Sequence, residues 1–228
     1  SGFARLAAGE AIIIADVGNV GPSYLPGHAH AGTLSFELSV KTNRVIVNSG
    51  VSVYGTGEER QRQRGTAAHS TLTLGHENSS EIWAGFRVGR RASVDDVIVY
   101  AGLNGGAIGA THDGYKHLRG QPMHRREITL ASDSITVIDK VSGNSVHDAS
   151  IRYYLAPNVS AKRLGGSAVL LLDENGQSLC KLVAIDECDL AIAKSTWHPE
   201  FGTSIPSSCI VLKFGDAASF THRTLFEF

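Results

Sequence analysis

The chain has 228 residues, a formal net charge of −1 at pH 7 and 19% charged residues. This balance excludes a strong overall positive field for nucleic acid, and the sequence has no acidic tail. No apolar run approaches the ~20 residues of a membrane-spanning helix. The length allows one large domain or two small ones. Because no linker or low-complexity segment divides the chain, we expect one domain over residues 1–228.

Short β-branched or alternating runs predict strands along the whole chain. In chain order these runs are 11–16, 33–40, 44–47, 71–74, 97–100, 135–138, 150–155, 168–172, 179–184, 190–193 and 209–214. Turn-forming residues separate them, and no window of eleven or more residues combines helical spacing with capping signals. The pattern predicts an all-β fold, a large antiparallel β-sandwich of two stacked sheets.

The stretch Gly27–Leu38, GHAHAGTLSFEL, places two histidines just before a predicted strand. Apolar residues from Leu34 to Val40 alternate with polar ones, so the even-numbered side chains face the core. If the strand runs back unbroken, His28 and His30 point the same way. Such histidines serve as hydrogen-bonded core residues, as metal ligands or as part of an active site, and the spacing leaves all three alternatives open.

Arginines alternate with glutamine in the segment Arg60-Gln-Arg62-Gln-Arg64. On a strand these arginines would line one face, where guanidinium groups hold carboxylates or sulfates through paired hydrogen bonds. A solvated edge strand protected by charge is an equally good interpretation.

A second polar segment contains His112, Asp113 and Tyr115, and His124 and Arg125 follow shortly after it. It brings a base, an acid, a phenol and a cation into what reads as a loop. Loops rich in such groups bind or catalyse more often than they stabilise the fold.

Taken in order, GHAHAGTLSFEL, VIVNSG, RQRGTAAHST, HDGY and HRR resemble the C-terminal sandwich domain of the heparinase II/III-like family, which includes heparin and heparan lyases and related alginate lyases. The resemblance extends from the Gly2–Leu6 segment to the Phe201–Gly202 region. It implies a larger enzyme in which an N-terminal (α/α) toroid precedes this β-sandwich and the polysaccharide cleft lies between them. The chain would then be a fragment that lacks the toroid, and the family is often periplasmic or exported.

The resemblance further implies β-elimination on acidic polysaccharides that contain uronic acid. The uronate carboxylate is neutralised, a base removes the C5 proton, and an acid assists departure of the C4 oxygen. His28 matches the catalytic residue that the sandwich contributes. Family-like segments also suggest substrate-binding residues on the cleft side, namely Arg64, His112, Tyr115 and Arg125. The local alternatives for the acid are Tyr24, Tyr54 and Tyr115.

A zinc site is also implied by the resemblance, with His30, Asn48 and His69 in the positions of the family's metal ligands. Three ligands from three segments would hold a structural metal near the cleft. Asn48 departs from the pattern, because the family has an aspartate there. An amide oxygen is a neutral and weaker ligand, so we expect metal affinity to be lowered.

Two other functions stay open beside the lyase. The chain is then a non-catalytic sandwich that binds carbohydrate, or a structural domain that caps the toroid, and the missing aspartate favours both of these. The expected partners are an acidic polysaccharide and the toroid of the same protein, not nucleic acid. Without the toroid residues the chain alone should have little or no activity, because the pocket around the reacting atoms is incomplete.

Overall fold

The computed structural model describes residues 2–22 and 24–228. These residues form 18 strands, one α-helix and one short 3-10 helix. The strands are β1 (Phe3–Ala8), β2 (Ala11–Asp16), β3 (Phe36–Val40), β4 (Asn43–Ile46), β5 (Leu72–Leu74), β6 (Ile82–Trp83), β7 (Arg87–Val88), β8 (Val94–Gly102), β9 (Gly105–His112), β10 (Met123–Leu130), β11 (Ser134–Ser142), β12 (His147–Tyr154), β13 (Ser160–Gly165), β14 (Ala168–Leu172), β15 (Ser178–Ala184), β16 (Asp189–Trp197), β17 (Ile205–Ala217) and β18 (Phe220–Glu227). Helix α1 spans Glu58–Arg64, and the 3-10 helix spans Thr66–Ala68.

The strands pair antiparallel in four sheets. A four-stranded sheet has the order β1-β2-β3-β4, and a second has the order β16-β17-β12-β5. The largest sheet has eight strands in the order β13-β14-β15-β18-β11-β10-β9-β8, and β6 and β7 form a small hairpin. The predicted all-β antiparallel fold is therefore confirmed.

The two four-stranded sheets lie on one side of the eight-stranded sheet. A bridge between Ile46 and Leu155 joins them at their adjoining ends. The layers meet in an aromatic cluster in which Phe36 of β3 lies 5.9 Å from Tyr153 of β12 and 6.3 Å from Phe226 of β18, between ring centroids. Edge contacts of this kind add about 0.5–1.5 kcal/mol each beyond the burial of the rings. One continuous core therefore stabilises a two-layer sandwich.

Strand β10 shows why some strands escaped the sequence pattern. Its buried positions include His124 and Arg126, so polar side chains occupy places where the alternation test expects apolar ones. Both are satisfied by Asp139 on the neighbouring strand β11. Because these buried positions are polar, the alternation of apolar and polar residues does not identify this central strand in the sequence.

Two local expectations are wrong. The strand predicted at 33–40 begins only at Phe36 and does not run back to His28, because Leu34 has a φ of 61° and the chain turns there. The arginine-rich segment is helix α1 and not a strand. Its arginine, glutamine and glutamate residues are good helix formers, and the negative charges of Glu58 and Glu59 in its first turn stabilise the positive end of the helix dipole.

Within the described residues, no helix has the length and apolarity that a membrane crossing requires.

Candidate functional site

His28 lies in the loop between β2 and β3, and its side chain is exposed. In this loop the amide of Ala29 donates a hydrogen bond to the carbonyl oxygen of Pro26 at 3.0 Å. An open cavity of about 630 Å³ lies beside it. Four of the residues predicted from the sequence line this cavity, namely His28, His30, Asn48 and His69. The fold therefore brings three separate segments together around the candidate catalytic histidine.

His30, Asn48 and His69 form a compact cluster at the inner wall of the cavity. The rings of His30 and His69 are 5.2 Å apart between centroids, and Nδ2 of Asn48 lies 3.2 Å from Nδ1 of His69. The backbone of Gly32 packs against the His69 ring, where a Cβ atom would lie only 3.0 Å from Cγ. A side chain at position 32 would crowd the His69 ring, so glycine favours the close approach of these two segments.

Burial keeps the imidazole rings of His30 and His69 neutral. It lowers the pKa of His69 to about 4, and burial together with the neighbouring His69, Arg60 and Arg64 lowers the pKa of His30 to about 2. Nε2 of His69 is buried and makes no hydrogen bond with the described residues.

The donor set of this cluster does not fit the metal that the family implies. Oδ1 of Asn48 accepts a hydrogen bond from the amide of Gly50 at 3.0 Å, which fixes the orientation of the side-chain amide. Nδ2 of Asn48 then faces His69 and donates a hydrogen bond to Nδ1 of its ring. Asn48 therefore presents an N–H group, and not a lone pair, at the third ligand position of the implied zinc site. Nowhere in the described part of the chain do three or more histidine, cysteine, aspartate or glutamate side chains form a metal-binding group.

Helix α1 supports the histidine loop with two buried arginines. Arg60 and Arg64 are one helical turn apart, so they share the inward face, and their residues are 1% and 0% exposed. Arg62, on the opposite face, is exposed and pairs with Glu59 at 2.6 Å. The arginines expected to form one stripe therefore divide into two inner residues and one outer residue.

Arg64 is a structural hydrogen-bond donor in this arrangement. Its guanidinium donates to the carbonyl oxygens of Ala29, Ala84 and Arg87 at 3.1, 3.2 and 3.1 Å. The expectation that Arg64 contacts substrate is corrected by this burial, since the side chain cannot reach a ligand in this conformation. Arg64 instead joins the His28 loop to the turn between β6 and β7.

Arg60 makes the same kind of link one turn earlier. It donates to the carbonyl oxygen of Gly27 at 3.1 Å and to that of Gly85 at 3.2 Å. Gly27 immediately precedes His28, so both arginines hold the backbone on either side of that histidine. Buried guanidinium groups are tolerated here because carbonyl oxygens surround them.

His112 and Tyr115, also expected on the cleft side, lie inside the sandwich. Each residue is at most 1% exposed. The hydroxyl of Tyr115 donates to the carbonyl oxygen of Leu72 at 2.9 Å, and Nε2 of His112 lies 3.1 Å from Nδ1 of His124. Burial therefore corrects the substrate-binding expectation for both residues, because neither side chain can touch a ligand in this conformation.

Arg125 lies on the other face of β10 from the buried Arg126. Its guanidinium pairs with Glu127 at 2.7 Å and donates to Thr111 at 3.1 Å. It lines a second surface concavity together with Lys140, and it is not among the residues that line the His28 cavity. The structure therefore does not bring Arg125 together with His28.

The proximity of His28 to the aromatic residues around it was not predicted from the sequence. Tyr54, one of three tyrosines considered as an acid, makes an edge contact with the His28 ring at 5.6 Å between centroids. Tyr115 is buried, and Tyr24 is 85% exposed. Phe86 and Phe201 extend the contact from Tyr54. Each comes from a different loop, so no spacing along the chain signalled their proximity.

Comparison with known families gives a match over nearly the whole chain. The family model described as heparinase II/III-like, C-terminal, matches residues 1–222. No curated protein matches the chain.

Solved structures share the fold at low sequence identity. Heparan sulfate lyase HepC from Pedobacter heparinus is similar with a TM-score of 0.76 and 18% identity, over 95% of this chain and 33% of that one. A heparinase III structure gives a TM-score of 0.72 and 16% identity, over 95% of this chain and 33% of that one. A 4-α-glucanotransferase from Thermococcus litoralis gives 0.59 and 10%, over 99% of this chain and 37% of that one. The chain thus spans about a third of the length of these proteins.

Proposed function

Because the chain belongs to the heparinase II/III-like C-terminal family, we propose that it is the C-terminal sandwich of a polysaccharide lyase that cleaves uronic-acid-containing glycans by β-elimination. The structures similar to it include a heparan sulfate lyase and a heparinase III, which supports an acidic polysaccharide as the substrate. His28 is the catalytic residue that this domain contributes.

One observation carries the proposal. His28 is the exposed histidine of the cavity, while the neighbouring His30 and His69 are half-buried and buried. The backbone on both sides of His28 is held by hydrogen bonds from Arg60 and Arg64. An exposed imidazole on a fixed loop can transfer a proton to or from a bound sugar, because its ring nitrogens can each donate or accept a hydrogen bond.

The reaction assigns His28 a defined task. A base removes the proton from C5 of the uronate, the electron pair forms the C4–C5 double bond, and the bond from C4 to the glycosidic oxygen breaks. The departing oxygen takes up a proton from an acid. In this proposal His28 carries out one of these proton transfers, and the matching group comes from outside this domain.

The partner of this domain is an N-terminal (α/α) toroid in the same protein. The chain covers about a third of the length of the lyases that share its fold, which supports a larger catalytic unit. The cleft between the two parts then faces the cavity that His28 lines. The acid or base missing here and the group that neutralises the carboxylate belong to the toroid side.

The His30, Asn48 and His69 cluster serves in this proposal as a metal-free support for the His28 loop. Asn48 bridges the amide of Gly50 and the ring of His69, so its two polar atoms are both used. A hydrogen-bonded cluster of neutral groups holds the inner wall without the charge that a metal would bring.

A second candidate is a sandwich that binds or supports without catalysing. Asn48, in place of the family's aspartate, is the observation that favours it. The occurrence of the same fold in a 4-α-glucanotransferase agrees with this, because the fold by itself does not fix the chemistry.

The lyase proposal is tested on the full-length protein with heparan sulfate, heparin and alginate as substrates. The assay follows the ultraviolet absorbance of the unsaturated uronate that β-elimination creates. His28→Ala should lower kcat by about 10²–10⁴-fold, the usual contribution of a proton-transfer group. His76→Ala is the matched control, since the His76 side chain is 85% exposed and pairs only with Asp148 among the described residues.

Cleavage that is lost in His28→Ala and kept in His76→Ala supports the lyase. Unsaturated products formed equally by wild type and His28→Ala would remove His28 from the catalytic set. If wild type forms no unsaturated product from any of the three glycans but binds one of them, the non-catalytic sandwich is the correct function.

A further inference from the structure

Three exposed aromatic rings form a row beside His28. Tyr54 lies between Phe86 and Phe201, with ring centroids 6.5 and 5.8 Å away and ring planes within 3° and 19° of parallel. The three residues are 46%, 48% and 69% exposed. Their segments are far apart in the sequence, so the row is a product of the fold. Rings of this size are usually buried or placed where a ligand covers them.

The row is continuous with the candidate catalytic histidine. The His28 ring meets Tyr54 edge to face at 5.6 Å. Phe86 also approaches the His28 loop, since a Cβ atom on Gly27 would lie 3.7 Å from its ring. A ligand that lies along the row therefore comes within reach of His28 beside the middle ring, Tyr54.

The buried side chain of Arg60 contacts two of the three rings. The guanidinium of Arg60 lies 4.9 Å from the Tyr54 ring centroid and 6.0 Å from that of Phe86. It also donates to the carbonyl oxygens of Gly27 and Gly85, which directly precede His28 and Phe86. Nη1 of Arg60 is buried and has no hydrogen-bond partner among the described residues. The same side chain thus fixes both the rings and the histidine loop.

The hairpin that carries Phe86 adds a second cation. The guanidinium of Arg87 lies 4.8 Å from the Trp83 ring centroid, and both residues are exposed. Positive charge beside a row of aromatic rings suits a ligand that has apolar faces and anionic groups. Acidic glycans have both, because the C–H groups of a pyranose form a flat apolar face and the carboxylates lie at its edge.

We infer that Tyr54, Phe86 and Phe201 form an aromatic platform on which sugar rings of an acidic glycan stack, so that one uronate is placed against His28. This inference rests on the proposed function, since it names a binding surface of the same site. The platform contributes binding and register, and His28 contributes the chemistry. Removing a ring should therefore raise KM more than it lowers kcat.

The test uses the full-length protein with Phe86→Ala, Phe201→Ala and the double variant. KM and kcat are measured on the glycan that wild type cleaves, and Kd is measured by calorimetry with oligosaccharides of heparan sulfate and alginate in a His28→Ala background. Each ring should change KM and Kd by about 2- to 13-fold, the equivalent of 0.5–1.5 kcal/mol. Tyr100→Ala is the matched control, since Tyr100 is 67% exposed on the edge strand β8 and is not among the residues that line the His28 cavity.

Four outcomes are distinguishable. Cleavage with weakened binding in the platform variants supports both proposals, and cleavage with unchanged KM and Kd overturns the platform alone. Binding that depends on the platform without any cleavage by wild type overturns the lyase and keeps the platform. Neither cleavage nor binding overturns both. A change in Tyr100→Ala as large as that in Phe86→Ala would also count against the platform, because the effect would not be specific to the row.

Discussion

Arg64 donates a hydrogen bond from Nε to the carbonyl oxygen of Ala29, the residue between the two histidines of the candidate catalytic loop, at 3.1 Å. The same guanidinium reaches the carbonyl oxygens of Ala84 and Arg87. One buried cation from helix α1 therefore fixes two loops that meet beside the cavity.

Arg64→Lys tests this role while keeping the charge. A lysine ammonium is a compact group that cannot reach three separated carbonyl oxygens, so at least one buried acceptor loses its donor. Each such loss costs about 1–3 kcal/mol, and we expect the free energy of unfolding to fall by about 2–4 kcal/mol. Denaturant unfolding of the chain measures the change.

The matched control for this substitution is Arg62→Lys on the exposed face of the same helix. It should change the free energy of unfolding by no more than about 0.5 kcal/mol, because the Arg62 to Glu59 pair is solvated. Equal losses in the two variants would show that the inward hydrogen bonds are not what matters.

The alternation of residues predicted parts of this fold well and others poorly. Apolar residues at every second position from Leu34 to Val40 identified a core face correctly, since all are at most 2% exposed. The same rule failed at His28, because the chain turns at Leu34 and the strand does not continue back to the histidines. The alternation of apolar and polar residues does not reveal such a turn. Local patterns predict a strand's buried face, while the start of the strand depends on contacts made elsewhere.

The arginine segment failed for a related reason. The letters RQRQR fit a strand with one charged face and also a short helix, and only tertiary contacts decide between them. Arg60 and Arg64 are buried because carbonyl oxygens of residues 27–29 and 84–87 surround them. These partners are at least 20 positions away in the sequence, so local sequence patterns could not predict them.

Tyr115→Phe should separate a core role from a substrate-binding role. The Tyr115 hydroxyl donates to the carbonyl oxygen of Leu72 inside the sandwich, and burial raises its pKa well above the ordinary value for tyrosine, so it stays protonated. Losing this donor should lower the free energy of unfolding by about 1–2 kcal/mol. KM for the glycan should stay unchanged. A raised KM with unchanged stability would restore Tyr115 to the substrate cleft.

A buried relay of hydrogen bonds makes the fold sensitive to acid. The amide of Gly114 donates to Nδ1 of His112, whose Nε2 donates to His124, and Nε2 of His124 donates to Asp139 at 2.7 Å. Burial lowers the pKa of both histidines, and the bond to Asp139 only partly opposes this for His124. Burial alone would raise the pKa of Asp139, but the Arg126 guanidinium and His124 outweigh it and hold the pKa well below its usual range.

The direction of the pH effect follows from these shifts. Above about pH 6.5 the two histidines are neutral in both the folded and the unfolded chain, and their contribution to stability is complete. As the pH falls below 6.5, the unfolded chain binds protons that the folded chain does not. The free energy of unfolding should then fall by about 1.4 kcal/mol per pH unit for each of the two histidines.

Denaturant unfolding at several values between pH 8 and pH 5 measures this slope. A His112→Gln variant should lower the slope by about 1.4 kcal/mol per pH unit, since one proton is removed from the linkage. His76→Gln, on the surface, should leave it unchanged. A slope that is the same in all three proteins would mean that the relay is not what senses acid.

Asn48→Asp should strengthen zinc binding at the cluster of His30, residue 48 and His69. A carboxylate at position 48 can still accept the hydrogen bond from the amide of Gly50, and its second oxygen would present a negative charge where the amide now presents an N–H group to His69. His30 and His69 would complete a set of three ligands. We expect zinc to bind at least about tenfold more tightly to Asn48→Asp than to wild type, measured by zinc titration and by elemental analysis after dialysis.

The control for this experiment is the double variant that adds His30→Ala to Asn48→Asp. It should lose the zinc again, because two ligands cannot hold the ion against dialysis. One zinc per wild-type chain that disappears in His30→Ala would contradict the metal-free cluster. It would require Asn48 to turn its oxygen toward the ion and give up the bond from Gly50, and then the support for the His28 loop would be a metal and not an amide.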